Sequence, residues 1–80
     1  MNICKAVGLR ISKLLAEKQM TLYRLEQESG IAHGTMMCII GERNKNITLK
    51  TLIQISRGFN MSLIEFLNDD LFTREDLEIY

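Results

Sequence analysis

The chain has 80 residues, enough for one domain with a small core. Its 46% apolar share, near the globular average, argues against disorder. Net charge is zero but unevenly spread: residues 1–58 carry +5, and residues 59–80, with Arg74 against Glu65, Asp69, Asp70, Glu75, Asp76 and Glu78, carry −5. A basic body with an acidic end suits an anionic partner at one face and self-association or shielding at the other, although an ordinary solvated surface gives the same pattern by chance.

Apolar positions recur at helical spacing with no alternating strand, and Pro and Trp are absent, so an all-helical fold is expected. A first helix is predicted from about Ile3 to Lys18, capped by Asn2, with Ile3, Val7, Ile11, Leu14 and Leu15 as its inward stripe. Gly8 inside it either costs ~1 kcal/mol against Ala or marks close packing. Thr21 can cap a second helix over Leu22–Ser29, in which Leu22 and Leu25 face inward. Gly30 stands where a helix stops in a left-handed conformation, and Ile31 follows. A third helix over His33–Ile40 turns Met36, Ile39 and Ile40 inward. On the same wheel Gly34, Met37, Cys38 and Gly41 point away, with His33 on the flank. A helix, a Gly-containing turn and a second helix form a helix-turn-helix, whose second helix can enter the DNA major groove.

The polar run Gly41–Ile47 reads as a loop. Thr48 caps a fourth helix with Leu49, Leu52, Ile53 and Ser56 or Ile55 inward, and Gly58 is expected to end it. Ser62 with Glu65 three residues on makes a capping box for a short fifth helix, where Leu63, Phe66 and Leu67 close the core. This divides the chain into a domain over 1–68 and an acidic tail over 69–80. In the tail, Thr73-Arg74-Glu75-Asp76 repeats a capping pattern, and Leu71, Phe72, Leu77, Ile79 and Tyr80 are available to dock on the body or on a second subunit.

The stretch Thr21–Gly41 and the motifs after it resemble the phage repressor and Cro-like (XRE-type) helix-turn-helix family. The residues that carry the likeness are Thr21, Leu25, Ser29-Gly30-Ile31, Thr35, Ile39, Thr48-Leu49-Lys50-Thr51-Leu52 and Ser62-Leu63-Ile64-Glu65-Phe66. They cover about residues 7–67 in the expected order and spacing. The resemblance implies a five-helix, lambda-repressor-like fold and a sequence-specific DNA-binding regulator, expected to be a dimeric repressor of bacterial or phage origin. It implies double-stranded DNA as partner, a homodimer and no membrane. In such domains the residues matching His33, Gly34, Met37 and Cys38 face the bases.

A DNA reader needs groups that grip phosphates and groups that read base edges. For the first, the free N–H groups of Leu22 and Tyr23 at a helix start, the Thr21 hydroxyl, and Arg43, Asn44, Lys45 and Asn46 beyond the third helix are suited. Arg24 and Lys50 are weaker candidates. For the second, His33 and Thr35 alone hydrogen-bond strongly, while Met37 and Cys38 can touch thymine methyls. Leu22 replaces a Gln common in the family. The soft apolar surface of Met37 and Cys38 also fits another reading, an antitoxin-like protein-interaction module on the same scaffold with weakened DNA readout. Many relatives pair an Arg at the position of Leu15 with a Glu at that of Ile40. Both are apolar here, and an apolar pair can replace a buried ion pair without loss, so the two are expected to touch.

Cys4, Cys38 and His33 fit no metal-ligand spacing, and two cysteines in separate helices make no disulfide framework. No Gly-rich phosphate loop, carboxylate pair or nucleophile with a base appears, so neither an enzyme nor a cofactor is expected. No apolar run suits a membrane span and no secretory leader pattern is present, so a cytoplasmic protein with reduced thiols is expected.

Overall fold

A computed structural model describes residues 2–41 and 46–73, and among these it holds five α-helices and no strand. They are α1 (Ile3–Lys18), α2 (Leu22–Ser29), α3 (His33–Ile40), α4 (Leu49–Gly58) and α5 (Leu63–Leu67). A 3-10 turn over Asp70–Phe72 follows.

Local capping accounts for the helix starts. The Asn2 side chain accepts from the Lys5 N–H, that of Thr21 from Arg24, that of Thr48 from Thr51 and that of Ser62 from Glu65. Each satisfies a donor that the helix itself leaves open. The Glu65 carboxylate returns a bond to the Ser62 N–H at 3.1 Å, completing the capping box. The helix ends are more varied. Gln19 closes α1 at φ 52° and Gly30 closes α2 at φ 74°.

The core is built from Val7, Ile11 and Leu14 of α1, Leu25 of α2, Ile31 of the turn, Met36 and Ile39 of α3, Ile55 of α4, and Phe59 and Phe66. Leu15 and Ile40 both pack against it and are half-buried. Two interhelical contacts hold α2 and α3 on the body. α1 packs on α3 at Gly8, where a Cβ would lie 3.6 Å from the Ile40 carbonyl oxygen, an ordinary contact distance. α4 packs on α2 at Gly58, where a Cβ would lie 2.8 Å from Leu25 Cδ1 and 3.0 Å from Ser29 Cβ.

α4 ends at Gly58 as expected, but the glycine is not itself left-handed: Phe59 caps the helix, and the left-handed residue is Asn60 at φ 59°. Glycine is required at 58 for the approach of α2, not for its dihedrals. Leu49 does not face inward and stays 61% exposed, because α4 is buried through its second half, at Ile55, Ser56 and Gly58.

The acidic segment begins by folding onto the body. Arg10 is buried on the inner side of α1. Its Nε donates to the Phe66 carbonyl at 2.8 Å, one terminal nitrogen to the Glu65 carbonyl at 3.0 Å, and the other to Asp69 Oδ2 at 3.1 Å. Its guanidinium carbon also lies 5.9 Å from the centre of the Phe66 ring. Lys13 donates to the same Asp69 oxygen at 2.8 Å. The hydrogen bond from Lys13, then that from the Leu71 N–H, then the charges of Lys13 and Arg10 hold the Asp69 carboxyl below the ordinary carboxylate range. The same contact, through its hydrogen bond and then its charge, holds Lys13 above the ordinary lysine value. Phe72 closes this end, its ring 6.1 Å from that of Phe66. Part of the charge asymmetry read from the sequence is therefore settled inside the molecule, since Arg10 and Lys13 answer to Asp69.

Candidate nucleic-acid interface

The candidate interface lies on the α2–turn–α3 unit. Gly30 reverses the chain after α2, with its N–H bonded to the Glu26 carbonyl at 3.0 Å. Ser29 Oγ then accepts from the Ile31 N–H at 3.3 Å, and Ile31 is buried. These contacts set the angle at which α3 leaves the turn. Met36 and Ile39 bury one side of α3 in the core, which fixes the side it leaves outward.

On that outward side His33, Gly34 and Thr35, the first turn of α3, are exposed. A Cβ built at Gly34 would meet no atom within 4 Å, so another molecule can come close to the backbone there. Met37 and Cys38 are half-buried, so they present less surface than the helical wheel suggests. The Ala32 N-cap supplies no side-chain bond to α3. Open N–H groups therefore remain at this end of the helix.

His33 is not a free polar residue. Its Nδ1 lies 2.7 Å from Oε2 of Glu26, a side chain 9% exposed, while the His33 side chain itself is 70% exposed. The pair bridges α2 and α3 across the turn. Sequence reasoning missed it. A signal was present: Glu26 falls four residues after Leu22 and beside Leu25, in phase with the inward stripe of α2, a place where an acid needs a partner.

A second cluster lies at the start of α2. Thr21 and Tyr23 are exposed, with Tyr23 at 69%, and Leu22 is half-buried against the core. The N–H groups of Leu22 and Tyr23 precede the first intrahelical bond, made by Leu25 to the Thr21 carbonyl. Lys18, Gln19, Met20, Thr21 and Arg24 line an open depression of ≈ 380 Å³ beside them. Arg24 is turned to Glu28, which its Nε meets at 2.9 Å. Of the residues expected beyond α3, Asn46 is exposed, whereas Arg43, Asn44 and Lys45 lie outside the described residues. Lys50, on the first turn of α4, is exposed. The structure thus brings His33, Gly34 and Thr35 together on one turn and Thr21, Leu22 and Tyr23 on another. Both turns belong to the same two-helix unit.

Among the described residues no group of three His, Cys, Asp or Glu is placed to hold a metal ion, and no helix is long and apolar enough to cross a membrane. In comparison with known proteins, the family model for the Cro/C1-type HTH DNA-binding domain matches residues 10–70. No curated protein and no solved structure matches the chain.

Proposed function

Because the chain belongs to the Cro/C1-type helix-turn-helix DNA-binding domain family, we propose that it is a sequence-specific transcriptional regulator of bacterial or phage origin, acting as a dimeric repressor in the cytoplasm. The family match across α2 and α3 carries this reading. In it, the first turn of α3 enters the major groove, and His33, Gly34, Thr35, Met37 and Cys38 meet the base edges. The start of α2 holds a phosphate through the Leu22 and Tyr23 N–H groups and the Thr21 hydroxyl, and the segment Arg43–Asn46 holds another beyond α3. Two copies related by a two-fold axis would place their α3 helices about 34 Å apart, one helical turn of DNA.

Gly34→Asp is the decisive test. A Cβ at Gly34 would meet nothing within 4 Å, so the substitution starts into open space. An acid in the first turn of a helix is also favourable, by about 0.3–1 kcal/mol, because it faces the positive end of the helix dipole. The variant should therefore fold as well as the parent and lose duplex binding measured by fluorescence anisotropy. Retained binding would remove α3 from the groove. For the parent, log affinity should fall with log salt at about −0.9 per phosphate neutralised, and Arg43→Ala with Lys45→Ala should make that fall shallower.

A further inference from the structure

The histidine at the start of α3 is tied to a buried acid, and that tie bears on what α3 can read. A neutral imidazole has one N–H nitrogen and one lone-pair nitrogen, and its hydrogen bonds decide which is which. His33 Nδ1 lies 2.7 Å from Glu26 Oε2. An ionised carboxylate only accepts, so at this distance the proton of a neutral His33 belongs on Nδ1. Nε2, at the far side of a ring 70% exposed, is then left as an acceptor.

In the major groove the two states read different bases. An acceptor pairs with the exocyclic amino groups of adenine or cytosine and finds no partner on guanine, whereas a donor pairs with N7 or O6 of guanine, N7 of adenine or O4 of thymine. We propose that Glu26 is a specificity-determining positioning residue. By holding the proton on Nδ1 of His33 it makes Nε2 an acceptor, so that α3 selects an adenine or cytosine amino group at the base it meets and rejects guanine there. This rests on the DNA-binding reading above. Glu26 itself does not touch DNA. At 9% exposure it is enclosed in the fold and acts through the ring.

The chain has a single histidine, so the ring can be observed without ambiguity. Long-range nitrogen–proton correlation spectra of the full chain, recorded where the ring is neutral, should show the Nδ1–H tautomer. Glu26→Gln should lose that bias, because an amide can donate to Nδ1 as well as accept from it. Selection from a randomised duplex pool should give a position where the parent prefers adenine or cytosine over guanine. Glu26→Gln should reduce that preference about three- to tenfold, the scale of one hydrogen bond. His33→Ala should erase it. The change in charge at residue 26 can raise affinity for every duplex, but it cannot alter the ratio between bases at one position.

An Nε2–H tautomer in the parent would overturn the proposal, as would base ratios that Glu26→Gln leaves unchanged in a protein that still binds duplex. If the parent binds no duplex at all, the DNA-binding reading itself fails and the inference falls with it. The spectra, recorded without DNA, test the tautomer whether or not the DNA-binding reading holds, and the duplex measurement tests that reading separately.

Discussion

Two glycines inside helices respond in opposite ways to the same substitution. At Gly58 a Cβ would sit 2.8 Å from Leu25 Cδ1, 3.0 Å from Ser29 Cβ and 3.3 Å from the Ser29 backbone nitrogen. Leu25 is fully buried, so its methyl has little room to retreat. Ser29 is the last residue of α2 and immediately precedes the left-handed Gly30, so moving it re-aims the turn into α3. Overpacking of this kind costs about 1–3 kcal/mol, against up to about 1 kcal/mol gained from the better helix propensity of alanine. Gly58→Ala should therefore be destabilising by about 1–2 kcal/mol. At Gly8 the closest atoms, the carbonyl oxygens of Ile40 and Ile39, would lie 3.6 and 3.7 Å away, so nothing must move. Gly8→Ala should be stabilising by about 0.5–1 kcal/mol through propensity alone.

In a domain of this size each kcal/mol moves the midpoint of thermal unfolding by about 4–8 °C. The two variants should therefore lie on either side of the parent, well separated. Urea and thermal unfolding followed by far-ultraviolet circular dichroism measure both. If Gly58→Ala proves as stable as Gly8→Ala, the close approach of α2 and α4 at this point is not what glycine serves.

Three further outcomes are expected. Asp69 has its carboxyl held below the ordinary value by Lys13, the Leu71 N–H and Arg10. Its contribution is thus present above the unfolded carboxylate pKa of about 4 and is lost as pH falls through the lower folded value. Urea titrations across that acid range should show a flatter decline for Asp69→Asn than for the parent, and parallel curves would dismiss the linkage. Ala32→Ser should give α3 the side-chain cap it lacks and raise stability by about 0.5–1 kcal/mol, read from the urea midpoint at unchanged slope. Arg10→Ala should cost about 3 kcal/mol, as for one partner removed from a buried ion pair, partly relieved because Lys13 still holds Asp69. A loss under about 1 kcal/mol would mean that water replaces the guanidinium at the Glu65 and Phe66 carbonyls without penalty.

Helix ends and the apolar stripes were legible in the chain because their causes are local. Asn2, Thr21, Thr48 and Ser62 each bond to an N–H three residues on, and Gly30 takes its left-handed turn within the same few residues. Met36 and Ile39 follow from spacing alone, and the family match over residues 10–70 agrees with the likeness carried by the ordered motifs. What stayed hidden depends on pairs distant in the chain or joined across a turn. Arg10 meets residues 55 to 59 positions away, although its place three after Val7 and four before Leu14 put a cation in the stripe. Glu26 and His33 are seven apart and meet because Gly30 turns the chain between them. Gly58 reads only as a helix stop until α2 is laid across it. In the candidate site the exposed first turn of α3 was readable, while the state of its one imidazole was not.

The guanidinium of Arg10 joins the first helix to a carboxylate 59 residues later. Closing so long a span requires most of the chain to be ordered beforehand, because the entropy of the loop must be overcome before the contact rewards it. The contact is therefore expected to form late in assembly. Weakening it should hasten escape from the native basin while leaving the speed of entry almost untouched. It acts as a lock on a finished protein, and a chain shortened to end at Leu67 would lose the carboxylate that the lock engages.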